Sequence, residues 1–581
     1  MDYSKLAPSL IAAYDRYQKG EIDPLRRQAK SFGWTALDEP AKPASAIVSL
    51  KCDPDANLDD LRKDGIRVNG GGKRIRTASV KFEDLEIVAK HGEVNRIVSA
   101  HRLHPCLDEA CKNSGISELR EGTKLSGSGV LVGIVDTGID PHHPAFEGRI
   151  ERIWDQTIIG GEGVDEGRYG LEFSSSSAIL PQDTDGHGTH VAGICTGSGS
   201  EYEGVAPNAQ IAIVKTGFLD TQIIDGVQYL FRLGQELGLP TVVNLSLGGH
   251  NDAHDGSDSL SEAVDDECGP GRIVCCAAGN EGDIDIHARV STKAGQSQSI
   301  PCISGTLQGL PEPFWLNGWY APDAKVEVAI ASPDGQATPF QSATTDPSIS
   351  ASTLYTLSSG RVEITTPPPD PSNGDFNFHV RVEPSPISPF TILSTWQLLL
   401  RSTSDANIVD IWIISESDRA RFDGPFNSPE MKVGSPGVSS SAITIGAYTT
   451  KTNWVDIDGN PQSAPWLQAD DIASFSSPGP RRDGAHKPDF TAPGAMIVGP
   501  LAVNSSPNRW LTLDTHHVAL QGTSMASPFV AGICALLLER DPELDPTRLK
   551  ELLRAHSVVP GSATGSFDRR WGYGRIRAMN L

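Results

Sequence analysis

Ser524 stands where a short polar stretch becomes an apolar helix, in QGTSMASPFVAGICALLLER from Gln521 to Arg540. The apolar residues after Met525 recur at helical spacing, so the helix is predicted to begin near Ser524. The N–H groups and the positive dipole end of a helix N-terminus favour the negative charge that forms when a hydroxyl attacks a carbonyl carbon. A serine at this position could equally be only a helix cap. A nucleophilic role therefore requires a base elsewhere in the chain.

His187, in DTDGHGTHVAGIC, is the candidate base. It opens a second predicted helix, because Val191 and Ile194 follow at helical spacing. The positive end of that helix disfavours an imidazolium. We therefore expect a resting imidazole that is neutral and able to accept a proton.

Two further polar residues follow strand-like apolar runs. Asp136 comes directly after VLVGIV, and Asn280 lies in CCAAGNEG between Gly279 and Gly282. Reactive groups collect at the carboxyl ends of parallel strands, and an amide N–H at Asn280 could donate to a developing oxyanion. Each of these residues, taken alone, is also a common turn residue.

The elements that must position these residues alternate between 130 and 278. Short apolar runs (VLVGIV, IAIVK, TVVNLS, RIVCCAA) are separated by helical stretches such as TQIIDGVQYLFRLGQEL. Strands that are apolar on both faces and joined by helices indicate a parallel sheet. The predicted fold class is α/β.

Composition narrows the setting in which this chemistry would operate. The chain has 581 residues, 38% of them hydrophobic, and a formal net charge of −24, which disfavours nucleic acid or an anionic membrane surface as a partner. No apolar run approaches the roughly 20 residues of a membrane span. The first 20 residues read as an amphipathic helix rather than a secretory signal, and the nine cysteines are an odd number. A cytoplasmic protein with free thiols is expected, with non-classical export left open.

Taken together, the motifs resemble those of the subtilisin-like serine proteases, the subtilases. The resemblance lies in DTGID, DGHGTHVAG, NLSLGG, AAGNEG and GTSMASP, in the order Asp, His, Ser. It implies that Ser524 attacks the scissile carbonyl, His187 transfers the proton, and Asp136 orients and stabilises the imidazole. It also implies that Asn280 and the Ser524 N–H form the oxyanion hole, and that the substrate is a protein or peptide.

The same resemblance implies a substrate-binding surface. Ser246, Leu247 and Gly248 would pair with an extended peptide by strand addition. Gly248 and Gly279 would line the pocket for the residue before the scissile bond (P1), with Gly434 at its floor. Because no acidic residue obviously occupies these positions, a large apolar P1 side chain is expected.

Two segments depart from the simplest subtilases. Residues 285–430, between the asparagine and serine motifs, contain short alternating runs typical of a β-sandwich. They resemble the jelly-roll domain inserted in some bacterial subtilases, including the germination proteases of spore formers. Its role, whether binding or a stabilising scaffold, stays open.

The other departure precedes the catalytic domain, where residues 45–108 read strand, helix, strand, helix, strand. They resemble the inhibitory propeptide of subtilases, with a tail near His101 to Asp108 in the active site and self-cleavage near His104 to Asp108. An ordinary α+β regulatory domain is the alternative. The predicted division begins with an N-terminal helical extension, 1–44, and the propeptide-like domain, 45–108. The catalytic domain follows in two parts, 109–284 and 431–581, and the inserted β-sandwich, 285–430, lies between them.

No cofactor is required for the predicted chemistry. Structural calcium is common in subtilases, but no Asp-rich loop has convincing ligand spacing, so calcium stays possible and unassigned. The alternative to an endopeptidase is a regulatory or binding protein of the same fold that keeps the propeptide in its cleft.

Overall fold

The computed structural model comprises two compact units, Met1–His104 and Pro105–Leu581. Most of the predicted N-terminal extension and the whole tail from His101 to Asp108 lie outside the described residues. The residues that the structure describes are 5–6, 14, 17–19, 34–35, 44–52, 56–68, 75–99, 114–159, 163–166, 168–174, 181–199, 202–307, 310–344, 351–385, 395–404, 407–415 and 419–581.

The N-terminal unit is built on an antiparallel sheet of five described strands. Two helices follow the strands, and apolar side chains such as Val48, Leu61 and Val88 share one core. The observed elements run strand, strand, helix, strand, strand, helix, strand: Trp34–Thr35, Ser45–Cys52, Asp59–Lys63, Arg67–Val68, Ile75–Lys81, Leu85–Lys90 and Val94–Ser99.

The larger unit is organised around a ten-stranded sheet, which confirms the predicted α/β class. Eight neighbouring strands are parallel, and each edge of the sheet ends in an antiparallel strand. In spatial order the strands are Ser557–Val558, Arg575–Ile576, Phe490–Ala495, Ile443–Thr449, Arg272–Ala277, Thr241–Leu245, Leu131–Asp136, Gln210–Lys215, Ile150–Asp155 and Leu171–Ser174.

Helices cover both faces of this sheet because its strands are apolar on both faces. Val132 and Ile134 pack into one core with the helices His187–Thr196 and Thr523–Arg540. Leu131 and other strand residues whose side chains point to the opposite face of the sheet pack into a second core. The remaining helices are Ile116–Thr123, Asp220–Leu237, Ser259–Glu267 and Pro546–Ala555.

The strands from His287–Thr292 to Arg421–Phe422 form two packed antiparallel sheets. Along their strands, buried side chains alternate with more exposed ones, and the buried side chains of both sheets share a separate core. One sheet has the order His287–Thr292, Asn407–Ser415, Phe314–Tyr320, Phe376–Pro384, Gly360–Thr365, Ser352–Leu357. The other has the order Gln341–Ser342, Val326–Ala331, Thr395–Ser402, Ser297–Ile303, Arg421–Phe422.

Six described cysteines are free thiols: Cys195, Cys268, Cys275, Cys276, Cys302 and Cys534. Five of these six are buried, and Cys268 is half-buried. Cys275 and Cys534 approach most closely, with sulfur atoms 3.8 Å apart. No helix in the described ranges combines the length and the apolar character needed to cross a membrane.

Candidate active site

A buried carboxylate and an imidazole are paired at the carboxyl edge of the central sheet. Asp136 is the last residue of the strand Leu131–Asp136, and His187 is the first residue of the helix His187–Thr196. Asp136 Oδ1 lies 2.7 Å from His187 Nδ1. Because a carboxylate only accepts hydrogen bonds, Nδ1 carries the proton and Nε2 is left for proton transfer.

The sequence around His187 fixes where its helix begins. Asp183 accepts hydrogen bonds from the backbone N–H groups of Gly186 and Thr189, at 2.9 and 3.0 Å, and from the Thr189 hydroxyl at 2.7 Å. These bonds satisfy donors that have no partner within the helix. The DTDGHGTH motif therefore positions the histidine as well as supplying it.

The electrostatics of His187 differ from the sequence expectation. Burial alone would lower its pKa, but the Asp136 carboxylate, its hydrogen bond, and the charges of Asp185 and Asp183 outweigh burial and raise the pKa to about 9. The prediction of a neutral resting imidazole was wrong, because three carboxylates act more strongly than the partial charge of a helix end. The histidine is protonated below this pKa and becomes a base only as it deprotonates.

Ser524 is the second residue of the helix Thr523–Arg540, as predicted. Its carbonyl oxygen accepts a hydrogen bond from the Ser246 hydroxyl at 2.7 Å, and its own hydroxyl donates to the Ser246 carbonyl at 3.3 Å. Asn244 extends this network between strand and helix, since it donates to the Ser246 hydroxyl at 2.9 Å and accepts from the Ser527 hydroxyl at 2.7 Å. Among the hydrogen bonds between described residues, none joins Ser524 to His187, and the Ser524 hydroxyl is directed to Ser246 instead.

Thr523 holds Asn280 in place, a role that the sequence reasoning missed. The Thr523 N–H donates to Asn280 Oδ1 at 2.8 Å, and its hydroxyl donates to the Gly279 carbonyl at 3.1 Å. With its oxygen occupied, the Asn280 amide has its N–H groups available as donors. The threonine between glycine and serine in GTSMASP was the signal that could have identified this residue.

The predicted pocket residues line one cavity of about 210 Å³ beside Ser524. All five substrate-binding candidates and Asn280 contribute to its wall, while Asp136 and His187 do not. His250 and Glu281, which were not among the predicted pocket residues, also line it, and the large apolar P1 side chain stays a prediction. The lining residues are Ser246, Leu247, Gly248, Gly249, His250, Ala277, Ala278, Gly279, Asn280, Glu281, Gly434, Thr523 and Ser524.

Glycines at the pocket wall permit close backbone approaches. Gly249 and Ser435 exchange two backbone hydrogen bonds of 3.0 Å, and a side chain on Gly434 would collide with the Gly249 carbonyl. Gly279 has a φ of 109°, and a Cβ there would meet Glu281 Oε2 at 2.6 Å. Both glycines are therefore required by the shape of the pocket as well as by its size.

The described residues do not provide a metal centre. Within them, no group of three or more His, Cys, Asp or Glu side chains is arranged to hold a metal ion. Calcium therefore stays unassigned.

The fold and the site are those of a serine peptidase built on a parallel α/β sheet. The chain belongs to the subtilase family (peptidase S8), whose model matches residues 127–374 and 405–574.

Individual relatives agree with this assignment. The chain is 25% identical over 488 residues to serine protease AprX of Bacillus subtilis (strain 168), an alignment that covers 81% of this chain and 70% of AprX. It is 33% identical over 190 residues to the major intracellular serine protease of the same organism, which covers 29% of this chain and 52% of that one. Among solved structures it is similar to the Clostridium perfringens CspB protease, with a TM-score of 0.66 and 26% identity over 81% of this chain and 98% of CspB.

The raised pKa of His187 predicts an alkaline pH dependence. Because only the neutral imidazole can accept a proton, kcat/KM should rise with pH along a limb centred near pH 9. Asp185 is exposed and adds to this shift, so D185N should move the limb to lower pH by a few tenths of a unit. A peptide-hydrolysis pH profile checks both expectations. A wild-type limb at or below pH 6.5 would contradict the assigned electrostatics.

Proposed function

We propose that this protein is a serine endopeptidase that uses Asp136, His187 and Ser524 as a catalytic triad. The observation that carries the proposal is the 2.7 Å Asp136–His187 hydrogen bond at the sheet edge where the helix of Ser524 also begins. The helices of His187 and Ser524 share one core, so both N-termini are held by the same packing. The pairing supplies the base that an isolated serine lacks.

In the proposed reaction, His187 Nε2 takes the proton of the Ser524 hydroxyl as the oxygen attacks the scissile carbonyl. The resulting imidazolium is stabilised by Asp136, and it later gives the proton to the leaving amine. Asn280 and the Ser524 N–H donate to the oxyanion. Water then releases the acyl group by the same steps.

The proposed substrate is an extended segment of a protein or peptide. Ser246, Leu247 and Gly248 follow the buried strand Thr241–Leu245, and all three line the cavity beside Ser524. A peptide that adds to this stretch as a strand would place its P1 side chain between Gly248 and Gly279, above Gly434. The net charge of −24 disfavours nucleic acid as a partner.

The triad predicts non-additive losses of activity. D136A, H187A and S524A should each lose most of kcat, and double variants should lose little more, because the residues act as one unit. N280A should lose about 10²–10³-fold in kcat, the magnitude that removal of one oxyanion-hole donor causes in subtilisin itself.

Labelling by a serine-directed fluorophosphonate distinguishes an active endopeptidase from a regulatory or binding protein of the same fold. Wild-type protein should be labelled and S524A should not, which is the matched control. Additive losses of activity in the double variants would contradict the proposal that the three residues form a catalytic triad. Equal labelling of the two proteins would favour a regulatory protein of the same fold.

We also propose that residues 45–108 are an inhibitory propeptide, which follows an N-terminal extension, 1–44. Residues 285–430 are proposed to form a domain that is inserted between the two parts of the catalytic domain, 109–284 and 431–581. The N-terminal unit has its own core and sheet, as a folding aid must. The parallel sheet of the larger unit depends on contacts distant in sequence, which are slow to form without help.

Self-processing is the test of this segment. Wild-type protein should yield a shorter band with a new N-terminus near His104 to Asp108, while S524A stays full length. Added residues 45–107 should inhibit the processed enzyme. If a chain that begins near Asp108 folds at the wild-type rate and is not inhibited by the added segment, the propeptide proposal fails.

A reducing compartment, the cytoplasm, is proposed from the free thiols. Six described cysteines (Cys195, Cys268, Cys275, Cys276, Cys302 and Cys534) are free thiols, and the chain holds nine cysteines. Thiol titration of denatured, unreduced protein purified from its source should therefore count nine thiols. A count of five or fewer, which requires at least two disulfides, would contradict the proposal.

A further inference from the structure

Lys432 is a lysine that is almost completely buried. It is 1% exposed, and its Nζ donates hydrogen bonds to the carbonyls of Gly282 and Ile284 at 3.1 and 2.6 Å. Burying a lysine is costly unless hydrogen bonds or charges compensate. The catalytic steps proposed above do not use this side chain, yet both of its acceptors lie in the segment 279–284, called here the oxyanion loop because it carries Asn280.

Lys432 lies where the chain crosses between its two kinds of sheet. Residues 278–286 lead from the ten-stranded sheet to the antiparallel sheets, and residues 423–442 lead back. Lys432 is in the returning segment, and both of its acceptors are in the outgoing one. Its side chain therefore joins the two crossings.

The backbone around Lys432 is held by contacts that do not involve its amine. The Lys432 N–H donates to the Pro478 carbonyl at 2.8 Å, and the Met431 N–H donates to the Gly479 carbonyl at 3.1 Å. The Trp412 indole, from the antiparallel sheets, donates to the Met431 carbonyl at 2.8 Å. The amine thus extends toward the oxyanion loop from a backbone that is fixed independently of it.

The two backbone N–H groups that follow Asn280 are also anchored. The Glu281 N–H donates to the Ser477 hydroxyl at 3.1 Å, and the Gly282 N–H donates to the Phe475 carbonyl at 2.7 Å. Both anchors hold N–H groups, so the carbonyls of the oxyanion loop need donors of their own.

Lys432 supplies such a donor. Within the described residues, no second hydrogen bond reaches the Gly282 carbonyl besides the one from Lys432 Nζ. Burial lowers the pKa of Lys432, and the carboxylates of Asp285, Asp283 and Glu281 oppose this shift. An ammonium has three N–H donors and a neutral amine has two, so both carbonyl acceptors are satisfied in either protonation state.

We propose that Lys432 is a positioning residue for Asn280, in addition to the peptidase function proposed above, on which this inference rests. An oxyanion donor is effective only within a narrow range of distances from the developing charge. Without the amine, the Gly282 carbonyl loses its donor, and the oxyanion loop moves to reach water or another donor. That movement shifts the Asn280 amide away from the oxyanion.

The part of the cavity wall that follows Lys432 should stay in place when the amine is removed. Val433 packs against Ala278 and Val438 in a small core, and Gly434 then lines the cavity. Neither contact uses the amine of Lys432. Its loss should therefore lower kcat and leave KM unchanged, because substrate binding is kept and transition-state stabilisation is not.

K432M tests this role because it removes the donors and keeps a long, unbranched side chain. Its kcat should be about tenfold lower than that of the wild type, with the same KM. In the N280A background, K432M should change kcat by less than about twofold, because no amide is left to position. To exclude unfolded protein, kcat is measured per serine labelled by fluorophosphonate.

K487M is the matched control. Lys487 is also buried, and its Nζ donates to the Ala442 carbonyl and the Thr444 hydroxyl and pairs with Asp489, each at 2.8 Å. None of these partners lies in the oxyanion loop or lines the cavity. K487M should therefore lower the free energy of unfolding, measured in urea, without lowering kcat per labelled serine.

K432Q provides a second variant with a different side chain. It keeps amide N–H donors at a shorter reach, so its kcat should lie between those of the wild type and K432M. If K432M does not fold, K432Q takes its place in the comparison with N280A. Loss of the fold in both variants would assign Lys432 to stability alone and would overturn the inference.

The remaining outcomes separate this inference from the peptidase function. A wild-type kcat in K432M, a raised KM in place of a lowered kcat, or losses that multiply in K432M/N280A each overturn the role of Lys432 while the peptidase stands. If the wild-type protein cleaves no peptide and fluorophosphonate does not label Ser524, the peptidase proposal falls and the inference falls with it.

Discussion

The hydrogen bond between Asp136 and His187 is the interaction on which the site depends. Asp136 has no exposed surface, and burying a carboxylate costs several kcal/mol unless a partner compensates. His187 is that partner, and the pair joins the end of the central strand to the start of a helix. The same bond selects the imidazole tautomer that carries its proton on Nδ1, and with the Asp136 charge it raises the pKa of His187.

The remaining parts of the site are connected to this pair through the sheet. Thr523 ties the start of the Ser524 helix to Gly279 and Asn280, and Ser246 ties it to the strand beside Asp136. The insert adds a third support, since Asn317 and Trp412 hold the loop that follows the substrate strand. An inserted β-sandwich that contacts the wall of the pocket thus takes part in the geometry of the site.

Local sequence patterns predicted most of the framework. The apolar runs gave the parallel strands, and residues at their ends, such as Asp136 and Asn280, lie at the carboxyl edge as expected. The positions of Thr523, His250 and Glu281 at the site were missed because they arise from contacts between segments distant in the chain. The charge state of His187 was also missed, because a helix end is visible in sequence whereas the sum of three nearby carboxylates is known only from their positions.

The most direct measurement of the central claim is an NMR titration of the His187 ring in the S524A protein, with D136N in the same background as the control. We expect His187 to titrate with a pKa near 9 when Asp136 is present, and we expect D136N to lower this pKa by more than one unit. A pKa at or below 6.5 in the presence of Asp136, or one that D136N leaves unchanged, would contradict the claim that this buried pair governs the site.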